Sequence, residues 1–206
     1  CFTTFDKLQE KFDELWLDKW HEHIYIANHK VTTDYLYTIG LRCLGNYCSR
    51  YGPQFKGNVE GVELPLEFKL GDHTFRGIID RLDQDSPGNF TIHDYKTGKR
   101  AKGEKAALND TQLALYHLAV GDNFGPVESI TVVWHFLRHG KEVRVNLTKT
   151  ALNKITKRVF RQINKVEEAV KNSGPFIPKE SILCHWCYLW SECSAKSGRN
   201  PAWQAE

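Results

Sequence analysis

Asp80, Asp94 and Lys96 are the residues of this chain whose types and spacing can do chemistry. Asp80 lies in Gly77-Ile78-Ile79-Asp80-Arg81, and the other two lie in Ile92-His93-Asp94-Tyr95-Lys96-Thr97-Gly98. A turn at Pro87-Gly88-Asn89 makes the two runs antiparallel neighbours, which brings Asp80 and Asp94 close together. Two carboxylates in one place repel each other unless a cation lies between them. Oxygen ligands with little sulfur or imidazole nearby suit magnesium or manganese. Strand alternation projects Asp94 and Lys96 to the same side and turns Tyr95 away. A metal and an ammonium group facing one small volume suit hydrolysis of a phosphodiester. The metal polarises the phosphate and helps ionise a water, while the lysine offsets developing charge or orients that water. A lone Asp-x-Lys in a strand is ordinarily a solvated salt bridge. Here Gln112 and Tyr116, four apart on one face of a following helix, accompany it.

The elements that must position these groups can be read along the chain. Phe5, Leu8, Phe12, Leu15 and Trp16 have helical spacing over residues 4–20, and a second helix runs from Thr33 to Tyr51, led by Thr33 or Asp34 and closed by Gly52-Pro53. Val62, Leu64, Leu66, Phe68 and Leu70 alternate with polar residues, predicting a strand with one buried face. Gly71-Asp72 turns it into a second strand from His73 to about Leu82, and Phe90 to Lys96 forms a third. A basic loop, Thr97 to Gly103, precedes a helix capped by Asn109 or Asp110 and reaching Val120. Residues 129–137 and Glu142–Leu147 form a hairpin about His139-Gly140. Thr148 or Thr150 then opens a long amphipathic helix, with Leu152, Ile155, Val159, Ile163, Val166 and Val170 inward, that ends at Gly174-Pro175. The simplest packing of this order is α/β, a central mixed sheet flanked by helices on both faces.

A chain of 206 residues suffices for one domain with a substantial core, plus a small appendage. No apolar run approaches the roughly 18 residues of a membrane helix, and no signal pattern opens the chain, so a soluble cytoplasmic protein with no membrane partner is expected. A net charge of +3 permits a polyanionic partner without requiring one. The sequence lacks methionine and opens on Cys1-Phe2-Thr3-Thr4-Phe5, which reads as the middle of a longer protein.

The motifs together resemble the PD-(D/E)XK nucleases, and among them the RecB-like branch. Its pattern of Gly-x-x-Asp-Arg, Asp-Tyr-Lys-Thr-Gly and Gln-Leu-x-x-Tyr reads here as Gly77 to Arg81, Asp94 to Gly98 and Gln112 to Tyr116. The resemblance implies a restriction-endonuclease-like core over nearly the whole chain, with residues 1–175 as the nuclease domain and 176–206 as a cysteine-rich tail. It implies that Asp80 and Asp94 bind the metal with help from the Tyr95 carbonyl, and that Lys96 is catalytic. Gln112 and Tyr116 would line the site and touch DNA, and Glu63 would support it from the preceding strand. The family's metal-binding histidine on an N-terminal helix sits in a Gly-x-x-x-His setting that His21, His23 and His29 do not match, so its counterpart is expected upstream of Cys1.

Basic residues surround the motifs. Arg81, Lys99, Arg100, Lys102 and Lys105 lie on or just beyond the site strands, where they can hold a phosphate backbone through salt-sensitive contacts. Trp16, Trp20, Trp186 and Trp190 are candidates for stacking on single-stranded bases, although core packing is the commoner use of tryptophan.

Cys184, Cys187 and Cys193 form a C-x2-C-x5-C pattern, and thiolates so spaced converge on a soft metal or an iron–sulfur cluster. Zinc would want a fourth ligand such as His185 or a distant cysteine. In a subset of RecB-like nucleases, including the AddB subunit and CRISPR-associated relatives, three such cysteines and a distant fourth hold a 4Fe–4S cluster. Cys1, Cys43 and Cys48 do not match that fourth position, which places it upstream with the histidine. The expected function is a metal-dependent DNA nuclease, an exonuclease acting on single-stranded or duplex ends in repair, recombination or related processing, with a helicase subunit or domain as a partner. The alternative is a DNA-binding or scaffold module that keeps the fold without the chemistry.

Overall fold

The computed structural model describes residues 4–22, 24, 26, 28, 30–52, 57–172, 174, 177–198 and 200. Cys1, His23, His29, Pro53 and Pro175, which figure in the sequence reading, lie outside them. Two helices lead, α1 (Phe5–Lys19) and α2 (Thr33–Tyr51). Three strands follow, β1 (Val59–Leu70), β2 (His73–Ser86) and β3 (Asn89–Lys96). A short helix α3 (Glu104–Ala107) and α4 (Thr111–Asn123) lead to β4 (Ser129–Phe136), β5 (Lys141–Asn146) and the long α5 (Lys149–Lys171). No described helix is long and apolar enough to cross a membrane.

The five strands form one mixed sheet in the order β1-β2-β3-β4-β5, antiparallel except for the parallel pair β3 and β4. The α/β architecture expected from the sequence is the one observed. Helix starts are fixed by side-chain caps. Thr4 accepts from Lys7, Asp110 from Leu113 and Thr148 from Ala151, each relieving an orphan N–H. Thr32, rather than Thr33 or Asp34, caps α2. Gly40 lets α1 and α2 approach, since a Cβ there would stand 2.4 Å from the Phe12 ring.

The main core lies on one face of the sheet. Leu66, Phe68, Ile79, Leu82, Phe90, Ile92, Val132 and Trp134 meet Leu113 and Val120 of α4 and Ile155 and Val159 of α5. The other face, under α2, carries buried polar side chains instead: Arg81, Asp83, Thr91, His93 and His135. That polar face explains why β2 outruns its expected end at Leu82, because apolar alternation stops marking a strand whose outward residues are buried but polar. Val62 departs from its expected place on the buried face and is 65% exposed. The alternation breaks at Glu63, whose φ of 45° turns the strand just before Leu64, Leu66 and Phe68 resume the inward pattern. Helix α3 follows the basic loop and is too short to show periodicity.

Candidate active site

Asp80 and Asp94 reach each other because β2 and β3 are in register. Arg81 pairs with His93 and Leu82 with Ile92, so Asp80 and Asp94 are the residues just beyond the last paired rung. The Tyr95 backbone N–H donates to Asp80 Oδ2 at 2.7 Å, fixing that carboxylate beside the end of β3. Asp94 is 1% exposed. Its Oδ2 lies 2.6 Å from Lys96 Nζ and, apart from that ion pair, has no hydrogen-bond partner among the described residues. Burial raises the Asp94 pKa above the ordinary carboxylate value, and Asp80 and Asp110 add to this while Lys96 opposes it.

Lys96 also donates to Gln112 Oε1 at 3.1 Å, and Gln112 Nε2 to the Tyr116 hydroxyl at 2.9 Å. The N-terminal end of α4 thus delivers two polar side chains to the strand ends. Gly77 makes room for them, because a Cβ there would meet Tyr116 Cε1 at 3.2 Å. Burial first, then the charges of Asp94 and Asp80, raise the pKa of Tyr116. Asp80, Asp94, Lys96, Gln112 and Tyr116, expected to share a site, form one connected cluster.

The remaining expected residues fall elsewhere. Glu63 stands across the ladder from Asp80, between the pairs Val62–Arg81 and Leu64–Ile79, with its side chain exposed and without an ion pair among the described residues. Lys99 and Arg100 are exposed on the loop beyond β3. Arg81, expected to support the site or meet DNA, is 5% exposed and points away from Asp80, so it cannot reach a phosphate backbone. Its guanidinium grips Asp83 through Nε at 2.9 Å and Nη2 at 2.8 Å and donates to the hydroxyls of Tyr47 and Tyr95 at 3.0 Å each. Burial pulls against the Arg81 charge, yet the hydrogen bonds and charge of Asp83 outweigh it and raise its pKa.

Behind Arg81 runs a polar chain that sequence reasoning missed. Arg81 Nη2 lies 3.0 Å from His93 Nε2, His93 Nδ1 lies 2.7 Å from His135 Nε2, and His135 Nδ1 lies 3.1 Å from Glu142 Oε1. It crosses β2 to β5. A signal existed for His93, because alternation beside Asp94 places it back to back with the site, but none linked it to His135 or Glu142. A cavity of about 300 Å³ opens beside Asp80 over this face, lined by Tyr47, Tyr51, Val62, Arg81 and Tyr95 among others. Trp16 and Trp20, candidates for base stacking, stack on each other at 4.8 Å, and Trp16 packs against Phe12 and Tyr37.

Among the described residues no three His, Cys, Asp or Glu side chains converge as a metal site. Two carboxylates are nevertheless enough for magnesium or manganese, which keep several waters and take substrate phosphate oxygens as further ligands. The buried Asp94 oxygen without a hydrogen bond and the opposed Asp80 are hard donors that fit such an ion. Cys184, Cys187 and Cys193 are free thiols of intermediate exposure near a 3₁₀ turn, Ile182–Trp186.

The mixed sheet sets Asp80, from the middle of β2, beside Asp94 and Lys96 at the end of β3. The family model of the PD-(D/E)XK nuclease superfamily matches residues 4–194, and the chain belongs to that superfamily. A crystal structure described as that of SSO0001 is similar at 18% identity, covering 94% of this chain and 82% of that one with a TM-score of 0.42. No curated protein matches the sequence.

Proposed function

We propose that this chain is the body of a metal-dependent deoxyribonuclease of the RecB-like branch, an exonuclease acting at single-stranded or duplex DNA ends. The observation that carries this reading is the position of Lys96 Nζ, 2.6 Å from the buried Asp94 Oδ2 and 3.1 Å from Gln112 Oε1, beside Asp80. Asp80 and Asp94 would hold magnesium or manganese, with the Tyr95 carbonyl as a further oxygen. When bound, such an ion supplies Lewis-acid polarisation of the scissile phosphate and eases ionisation of water. The Lys96 ammonium, already anchored on two side chains, stabilises charge developing on the phosphate without reorganising at the moment of reaction. Gln112 and Tyr116 orient Lys96 and border the substrate, while Lys99 and Arg100 hold flanking phosphates. Action alongside a helicase subunit or domain, in DNA repair or recombination, belongs to the same reading.

Turnover of linear DNA by the purified full-length protein tests it. Magnesium or manganese should support cleavage, calcium should inhibit it, and Lys96→Ala and Asp80→Asn should each abolish it with most DNA affinity kept. Cleavage by Lys96→Ala at the parent rate, or undiminished cleavage in chelator, would sink the assignment. DNA binding without cleavage in either metal would favour the scaffold alternative.

The reading extends to the tail, where Cys184, Cys187 and Cys193 would hold a 4Fe–4S cluster, with zinc as the alternative. Its support is their spacing. Iron and zinc analysis of an anaerobic preparation separates the two, and zinc without iron would overturn the cluster.

A further inference from the structure

Helix α5 carries Lys149, Lys154, Lys157, Arg158, Arg161 and Lys165, and no acidic residue before Glu167. Lys154, Arg158, Arg161 and Lys165 recur at helical spacing, so they share one side of the helix, next to the inward Ile155, Val159 and Ile163. Lys154, Lys157, Arg161 and Lys165 are exposed. Among the described residues none of the six is in an ion pair.

This arrangement works against the stability of the helix in two ways. Like charges three and four apart repel each other. The helix dipole favours acids in the first turns and cations in the last, whereas here cations fill the first two-thirds and Glu167 and Glu168 come near the end, with Lys171 the one cation in the last turn. Apart from Arg158, folding gives no reason for the stripe. A polyanion does.

The stripe also leads somewhere. Arg158 Nη2 donates to the Asn109 carbonyl at 2.8 Å and to Thr111 Oγ1 at 2.7 Å, which ties the stripe to the start of α4. The next residue, Gln112, accepts from Lys96 at 3.1 Å. The exposed Lys99, Arg100, Lys102 and Lys105 lie on the segment that leads into α4. At about 1.5 Å per residue the run from Lys154 to Lys165 is ~16 Å long. A nucleic-acid strand advances ~3.4 Å of axis per phosphate, so the run matches about five phosphates.

We propose that the basic side of α5 is a second binding track for the DNA phosphate backbone, engaging substrate several nucleotides beyond the bond that is cut. This rests on the nuclease reading of the Asp80, Asp94 and Lys96 site. The contacts are sequence-independent and salt-sensitive, and they favour long substrates over short ones.

The test is the quadruple variant Lys154→Gln, Lys157→Gln, Arg161→Gln and Lys165→Gln in the full chain, with Arg158 kept because it holds α4. Binding of a long single-stranded oligonucleotide is measured in chelator across a salt series. Each phosphate contact contributes ~0.7 to the slope of log affinity against log salt, so losing four should flatten it by about 3. With metal present, kcat/KM on long linear DNA should fall at least about tenfold, while hydrolysis of bis(p-nitrophenyl) phosphate stays at the parent rate. Relief of repulsion should leave the melting temperature equal to or above the parent's. An unchanged salt slope overturns the proposal, as does a variant that melts lower and loses both activities together; an acidic protein as the true partner would give the unchanged slope. A parent chain that cleaves neither substrate defeats the nuclease reading, and the salt slope in chelator still decides the track.

Discussion

Arg81 and His93 pair across β2 and β3 on the face of the sheet opposite Asp80 and Asp94, with Arg81 Nη2 3.0 Å from His93 Nε2. Each is the sequence neighbour of a site acid, so strand alternation turns one pair toward the reaction and the other into the interior. One proton arrangement satisfies the whole inner chain. Arg81 donates to His93 Nε2, His93 Nδ1–H donates to His135 Nε2, and His135 Nδ1–H donates to Glu142 Oε1, an otherwise orphaned buried acceptor. Both imidazoles are then neutral. The two carboxylates are thus held at one register by a hydrogen-bonded ribbon beneath them.

Neutral imidazoles make the fold sensitive to acid. Burial first, then the charges of Arg81, Arg144 and Arg50 and the neighbouring His93, push His135 down from 6.5 to about 3. Between those values the unfolded chain binds a proton that the folded chain refuses. The stability this provides is complete above pH 6.5 and is lost as pH falls toward 3. Melting temperature should therefore drop with pH over that range, and His135→Asn should flatten the drop while lowering stability at neutral pH, because Glu142 loses its donor. A slope identical in parent and variant would assign the titration to another group.

Asp94 has the opposite linkage. Its pKa is raised in the folded state, so the folded chain holds a proton over a range where the unfolded one has lost it, and stability declines as pH rises through the raised value. In chelator at neutral pH, Asp94→Asn should therefore melt higher than the parent while cleaving nothing. Magnesium should raise the parent's melting temperature, by about 2.7 kcal/mol of stability at a hundredfold excess over the dissociation constant, and leave the variant's unchanged. Equal magnesium stabilisation of both proteins would remove Asp94 from the proposed metal site.

Gly77 tests how the site is held in place from α4. The Cβ of Gly77→Ala would press on Tyr116 Cε1 from 3.2 Å, and the ring's hydroxyl accepts from Gln112, which in turn accepts from Lys96. A displacement of a few tenths of an ångström should reach the lysine and lower kcat about tenfold, since small misplacements at reacting groups are costly. The melting temperature should barely move. Full activity in Gly77→Ala would mean that the Tyr116 ring does not help to place Lys96.

The strands, the long helices and the cluster of Asp80, Asp94, Lys96, Gln112 and Tyr116 were legible in the sequence because period and polarity agree there. Leu66 and Phe68 alternate inward, Asp94 and Lys96 share a side, and Gln112 and Tyr116 are one helical turn apart. The polar face was hidden for a physical reason. Burial of Arg81, Asp83, His93 and His135 is offset by partners contributed from β2, β3, β4 and β5, and such cross-strand pairing leaves no mark within any one segment. Val62 misled for a related reason, because the positive φ at Glu63 resets the alternation and a non-glycine residue gives no warning of it.

Arg81 carries the heaviest structural duty on that hidden face, and its substitution should separate fold from chemistry. The side chains of Arg81 and Asp83 are 6% and 5% exposed, so Arg81→Met leaves a buried carboxylate without its bidentate partner. Breaking a buried pair from one side costs about 3–5 kcal/mol, which denaturant titration would register. Arg81→Lys keeps the charge but not the fork that spans both Asp83 oxygens and the hydroxyls of Tyr47 and Tyr95, so it should fall between parent and Arg81→Met. The double variant Arg81→Met with Asp83→Leu should recover much of the loss, because no lone charge remains. If the ribbon under the sheet sets the spacing of Asp80 and Asp94, the folded Arg81→Lys protein should need more magnesium for half-maximal cleavage at an unchanged KM for DNA. An unaltered magnesium requirement together with the expected loss of stability would confine Arg81 to the fold.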